Sequence, residues 1–371
     1  MIVDLPDTSV GTVSKKLIQL RDEVGAMALG RVLTLVIVID EGKAETALEV
    51  AGDATRQHPS RIVCIVTGNR RGANRIDAQI RVGGDAGASE VVVLRLYGEL
   101  TKHGEAVVLP LLLADSPIVA WWPFDAPREV ANDPIGKLAQ RRITDAEHAA
   151  SPPKAIASRA KTYAPGDTDL TWTRTTKWRG LLAAALDQPP YEQITNVTVG
   201  GGLDSASSDL LAGWLASYLD TTATRARTPA DTGIVSVRLD RESGPVDLVR
   251  PDGSMATLEQ PGQPVRELAL KRRSDAECLA DELARLDPDE VYERTLKDGL
   301  SRLSSKRSYP ASEAVRLGLA PSLEHSREET RELARESAGR GGAAAMVAAA
   351  TPSDEATDEQ VHEKAVEKLS D

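Results

Sequence analysis

Cysteine is nearly absent from this chain. Its 371 residues contain two, Cys64 and Cys278, too far apart for a zinc-ligand spacing, a CxxC redox motif or a disulfide framework. Cys64 falls in the strand-like RIVCIVTG and Cys278 on a helix face, so both are expected as core thiols rather than a redox pair. No basic excess exists either: 45 Lys and Arg stand against 56 Asp and Glu, a net charge of −11, which argues against a nucleic-acid partner. The longest apolar segment, Ala106 to Phe124, is broken by Asp115, Ser116 and three prolines and is not a membrane span. The opening MIVDLPDTSV lacks a basic start and an apolar h-region, so a cytoplasmic location is expected. Five histidines occur, at 58, 103, 148, 325 and 362, none in HExxH, and no serine sits in GxSxG. No pair of carboxylates stands out from solvated helix faces. Catalytic residues, a metal site and a cofactor are therefore not expected, and no internal repeat is found.

What remains is an ordinary globular composition, 41% hydrophobic and 27% charged, at a length suited to two domains plus extra. Val13, Leu17, Leu20, Val24 and Met27 mark one helix face behind a possible Thr12 cap. The run Val32 to Ile39 reads as a strand buried on both faces. A helix from Ala44 to Gln57 and a strand from Arg61 to Thr67 complete a β-α-β unit with parallel pairing. IDAQIRV and SEVVVLRLYG, separated by GGDAGA, read as antiparallel neighbours. Residues 1–145 thus form an α/β layer with a Rossmann-like mixed sheet, and the proline-bearing 146–168 an irregular linker. Residues 169–303 read as an α+β domain. It has a helix behind Thr175 or Thr176, a strand QITNVTV running into GGG and a second helix, then a meander of four antiparallel strands. Two closing helices follow, the first with Ser274 and Glu277 spaced as a capping box. Residues 304–371, with Tyr309 their one aromatic, form an Ala-rich and acidic tail expected not to order itself.

Aromatics make up only 3% of the chain, yet Trp121, Trp122 and the single Phe124 fall within four residues. Adjacent strand residues face opposite ways. Both indoles are therefore buried in a sheet covered on both sides, or one of them meets a partner, since exposed Trp is a preferred contact residue. Trp121, Trp122 and Pro123, with Trp172, Arg174 and Trp178, are the candidate partner contacts. A second candidate is the cluster Gly200, Gly201, Gly202 and Ser205 between strand and helix. It is a tight turn or an anion loop, although it matches neither GxGxxG nor a Walker loop and no β-α-β crossover is expected after it. Basic clusters at Arg70 and Arg71, at Arg141 and Arg142, and at Lys271 to Arg273 suit helix ends or an anionic partner surface.

The segments LLLADSPIVAWW, DPIGKLAQRRITD, DLTWTRTTKWRGLLAAALD, LLAGWLASYL and RRSDAECLADELARLDPDEVYERTL, in this order, resemble the OpcA family of glucose-6-phosphate dehydrogenase assembly proteins, actinobacterial type. The resemblance spans Met1 to Leu303 and leaves out the tail. It implies a non-catalytic partner of glucose-6-phosphate dehydrogenase, an allosteric effector at the entry to the pentose phosphate pathway. Some family members are linked to thiol redox control. The alternative from the residues alone is a sugar-phosphate or nucleotide-binding enzyme or sensor using Gly200 to Ser205.

Overall fold

The β-branched run expected as a doubly buried strand lies at the centre of the first of two sheets. The computed structural model describes residues 1–23, 32–56, 58–82 and 90–306. The first sheet contains β1 (Ile2–Leu5), β2 (Leu33–Asp40), β3 (Ser60–Thr67), β4 (Arg75–Arg81), β5 (Glu90–Tyr97), β6 (Ile118–Trp122), β7 (Arg141–Thr144) and β8 (Asp167–Asp169). Its spatial order is β1-β4-β5-β3-β2-β6-β7-β8. From β5 to β8 every neighbour is parallel, whereas β4 is antiparallel to β5 and β1 to β4. The parallel strands follow the doubly wound order 3-2-1-4-5-6, which reverses direction between β2 and β6.

The flanking helices are α1 (Val10–Glu23), α2 (Ala44–Ala54), the short α3 (Gly104–Val108) and α4 (Pro152–Thr162). On α1, Val13, Leu17 and Leu20 are buried as their spacing predicts. The cap is Ser9, whose Oγ accepts from Thr12 N–H at 3.2 Å, and not Thr12 itself. Val24, Met27, Gln57, the GGDAGA turn and residues 307–371 lie outside the described residues. The segment 146–168, read as a linker, instead carries α4 and the start of β8. Pro152 and Pro153 punctuate the sequence like a loop, but they open the helix, where a missing N–H costs nothing.

The remaining helices are α5 (Leu170–Thr173), α6 (Thr176–Leu186), α7 (Ala206–Tyr218), α8 (Asp275–Leu283) and α9 (Glu290–Lys297). The second sheet has β9 (Asn196–Gly202), β10 (Ala223–Thr228), β11 (Ile234–Asp240), β12 (Val246–Val249), β13 (Met255–Glu259), β14 (Arg266–Ala269) and β15 (Leu303–Lys306). Strands β11 to β14 form the expected antiparallel meander. Contrary to expectation, β9, α7 and β10 form a β-α-β crossover, because β10 pairs parallel to β9. Strand β10, ATRART, carries no apolar run. It is nonetheless interior, since the buried Arg225 binds Asp209 at 2.7 Å and the Val199 carbonyl at 2.8 Å. The capping box at Ser274 and Glu277 forms as its spacing predicts.

Trp121 and Trp122 take opposite sides of the first sheet. Trp121 joins the layer made by Ala47, Leu48 and Ala51 of α2 with Cys278, Leu279 and Leu283 of α8. Trp122 joins the layer with Val13, Leu17 and Leu20 of α1 and Val108 and Leu111. Helix α8, expected to close the second half, thus shares with α2 the cover on one face of the first sheet. Both indoles are essentially inaccessible, at 2% and 1%. Trp122→Ala removes a filled position in a layer that cannot collapse, and urea unfolding should show a loss of about 3–5 kcal/mol. A loss below about 1 kcal/mol would mean the ring is not packed as described.

Candidate functional site

Strand ends, helix starts and charge converge at two places. The first is the reversal point of the parallel sheet, where a crevice of about 320 Å³ opens beyond β2, β3 and β6, lined by Asp40, Lys43, Thr67, Arg70, Phe124 and Asp125 among others. Open α/β sheets hold ligands at this position, with phosphates on the first strand-to-helix turn. Here that turn reads Asp40, Glu41, Gly42, Lys43, with Gly42 at φ +92°. Two carboxylates at the head of α2 and a single glycine repel a pyrophosphate rather than cradle it. Lys43 is engaged locally, 4.6 Å over the Phe124 ring and 3.5 Å from Asp125.

The second place joins the two sheets. Arg174, just after α5, donates to both oxygens of Asp145 at 2.8 and 2.7 Å and to Asp275 Oδ1 at 2.6 Å. Asp145 follows β7, and Asp275 is the first residue of α8. His148 Nε2 lies 2.9 Å from Asp275 Oδ2. The three groups Asp145, His148 and Asp275 are close enough to hold a metal ion. The Arg174 guanidinium, however, already places a positive charge on both carboxylates. Burial alone would lower the Arg174 pKa, but Asp145 and then Asp275 outweigh it and hold it well above its ordinary value. Beside this cluster, Arg141 binds Glu282 at 2.5 Å, Thr173 donates to the same carboxylate, and Trp172 Nε1 donates to Asp289 at 2.8 Å.

These contacts correct the expected partner surface. Trp121, Trp122, Pro123, Trp172, Arg174 and Trp178 are all buried. The structure does not bring the six together at a surface: Trp121 and Trp122 fill the two faces of the first sheet, Trp172 and Arg174 lie at the junction between sheets, and Trp178 packs in the core of the second sheet. The same economy claims Arg141 and Arg142, both buried and paired with Glu282 and Asp167. Burial pushes both thiols, Cys64 and Cys278, up to about 12, as suits core residues.

Gly200, Gly201 and Gly202 are the end of β9 rather than a loop. A Cβ on Gly201 would come within 2.2 Å of Ser208 Oγ and 2.5 Å of the Gly233 carbonyl, so the glycine lets α7 sit close to the sheet. Ser205 caps α7, accepting from Ser208 N–H at 3.2 Å. In front of that helix start runs a groove lined by Lys177, Trp178, Arg250, Lys271 and Arg272 with Ser205 and Ser207. Arg250 lies sixteen residues past the start of β11, where no motif marks it, and sequence reasoning missed it.

The family can be read at this point. A model described as the glucose-6-phosphate dehydrogenase subunit N-terminal domain matches residues 51–161, and its C-terminal counterpart matches residues 165–296. The chain belongs to the OpcA family. No curated protein matches it. Among solved structures, an oxidoreductase from Sinorhizobium meliloti is 11% identical over 71% of this chain and 94% of its own, with a TM-score of 0.40. One from Pseudomonas syringae is 10% identical over 72% and 85%, at 0.32. Such scores carry no functional argument. Among the described residues, no helix is long and apolar enough to cross a membrane.

The junction makes a signed pH prediction. The hydrogen bond to Asp275 raises the His148 pKa above 6.5, against the opposing effect of burial. Its stabilisation is complete below 6.5 and is lost as pH rises through the higher folded value. The Asp275 carboxyl, held well below 3.8 chiefly by His148 and against its own burial, gives stability present above 3.8 and lost as pH falls through the folded value. Stability should therefore decline on both sides of a plateau between these limits. Asp275→Asn should return the His148 ring titration, followed by NMR, toward 6.5; an unchanged titration would contradict the pairing. Arg174→Met, which strips the guanidinium from the buried Asp145 and leaves Asp275 with His148 as its charged partner, should cost about 3–5 kcal/mol in urea unfolding.

Proposed function

We propose that this OpcA-family chain is a non-catalytic assembly factor and allosteric activator of glucose-6-phosphate dehydrogenase, acting in the cytoplasm at the entry to the oxidative pentose phosphate pathway. The observation that carries the reading is the pair of matches to dehydrogenase-subunit domains, which cover residues 51–161 and 165–296 and so include strands of both sheets. The reversal-point crevice supports it. A doubly wound sheet whose first turn presents Asp40 and Glu41 is poorly suited to the dinucleotide that such a sheet otherwise binds.

The mechanism is a shift of population. A partner activates an enzyme only by binding its competent, assembled state more tightly than the incompetent one. A hundredfold preference corresponds to about 2.7 kcal/mol, within reach of a standard interface of about 800 Å² per partner. The burial of the six expected contact residues supports a reading in which the dehydrogenase is met by other side chains, with Trp121 and Trp172 holding the frame.

The purified chain mixed with its host's dehydrogenase should co-elute with it and raise the initial rate of NADP reduction, while the chain alone reduces none. Absence of both a complex and a rate change, over a range of salt concentrations, would overturn the proposal. The reading of a sugar-phosphate binder is favoured by one observation, the environment of Arg250.

A further inference from the structure

Arg250 is a buried cation with no counter-charge. It is 5% exposed, and among the described residues no carboxylate lies within ion-pair distance. Its Nη1 donates to the Leu270 carbonyl and its Nη2 to the Ile234 carbonyl, both at 2.7 Å. Its Nε is buried without a hydrogen-bond partner. The guanidinium lies 5.1 Å from the Trp178 ring, in the groove in front of α7. The buried Arg141, Arg142, Arg174 and Arg225 each have a carboxylate, whereas the buried Arg241 near the other end of the meander is, like Arg250, held by backbone carbonyls. A charge taken out of water without a partner costs several kcal/mol, and proteins keep such a group where something else supplies the opposite charge.

The surroundings say what that is. Helix α7 is 13 residues long and directs the positive end of its dipole into the same groove, with Ser205 and Ser207 at its mouth. Lys177 and Lys271 also line it, and neither makes an ion pair among the described residues. Arg272 is tied to Glu147 at 2.5 Å. Three cations without a carboxylate partner and a helix N-terminus around one small space suit a dianion better than a single charge. A hollow of about 190 Å³ shares Glu147, Ser205, Gly233 and Arg272 with the groove and adds His148, Asp204 and Asp231. Its carboxylates suit the hydroxyl groups of a ligand.

We infer that the groove between the start of α7 and Arg250 is a binding site for a phosphate monoester of a small polyhydroxy compound. The phosphate sits against Arg250, Lys177 and Lys271 at the helix N-terminus, and the alcohol portion extends toward Asp204 and Asp231. The absent counter-charge also explains why burial, with repulsion from Arg272, pushes Arg250 down to about 10 against a weaker opposing pull from Asp252. The site does not depend on the dehydrogenase, and the glycines of β9 contribute by admitting α7 to the sheet, not by touching the anion.

The test is calorimetric titration of the full chain, without enzyme, with inorganic phosphate, glycerol 3-phosphate and glycerol. Glycerol 3-phosphate should bind saturably and more tightly than phosphate, and glycerol should not bind. Arg250→Gln should weaken binding at least tenfold. Because that change alters a buried position, the exposed double variant Lys177→Gln, Lys271→Gln is the second test, and it should weaken binding at least tenfold with unchanged unfolding in the absence of ligand. No saturable heat at millimolar ligand, or unchanged affinity in the double variant, overturns the site. Phosphate binding as tightly as its ester overturns the alcohol half.

Discussion

Arg174 holds the two sheets together by satisfying two carboxylates at once. Asp145 ends the approach from β7, Asp275 opens α8, and Arg174 itself closes α5, so one guanidinium fixes three chain segments drawn from distant parts of the sequence. Deeply buried ion pairs add little net stability, since desolvation offsets the attraction, but they are unforgiving of the wrong geometry. Their effect here is to specify which helix covers the first sheet. Once Asp275 is placed, the Ser274 capping box starts α8 in a direction that delivers Cys278, Leu279 and Leu283 onto the layer holding Trp121. Arg141 with Glu282 makes a similar tie at the far end of α8, and Trp172 with Asp289 another at the start of α9.

Much of the first sheet was legible in the sequence because doubly buried parallel strands announce themselves as β-branched runs. β2 and β3, with α2 between them, needed nothing else, and the adjacent tryptophans could only point to opposite faces. The elements that escaped notice lack that signature for definite reasons. β10 reads Ala, Thr and Arg because its buried Arg225 is neutralised from α7 by Asp209 while Arg227 is exposed. β8 reads Asp-Thr-Asp because Asp169 serves as an acceptor, taking Thr144 Oγ1–H at 2.6 Å and the N–H groups of Ala146 and Thr171. Such strands are buried as polar networks, and hydrophobic periodicity is blind to them.

The candidate sites were less legible, and in a consistent direction. Tryptophan and arginine were read as contact residues because both are common in interfaces. In a chain with so few aromatics, the same residues were needed to fill layers and to pair internal carboxylates. The glycine cluster drew attention to the right end of the right helix for the wrong reason. Gly201 answers to close packing against Ser208, whereas the feature that marks the groove, an arginine without a counter-charge, is supplied by the meander and is invisible until folding brings β12 and α7 together.

The frame that results is a doubly wound sheet with an acidic first turn, locked to a second sheet, in a chain of the OpcA family. Under the proposed function the chain acts on the assembly state of glucose-6-phosphate dehydrogenase. Sedimentation velocity of the dehydrogenase, at a concentration where it partly dissociates, tests this most directly. Adding the chain should shift the enzyme to its larger assembly in a saturable way, with the chain in the sedimenting boundary; an unchanged distribution of enzyme species at saturating chain would contradict it.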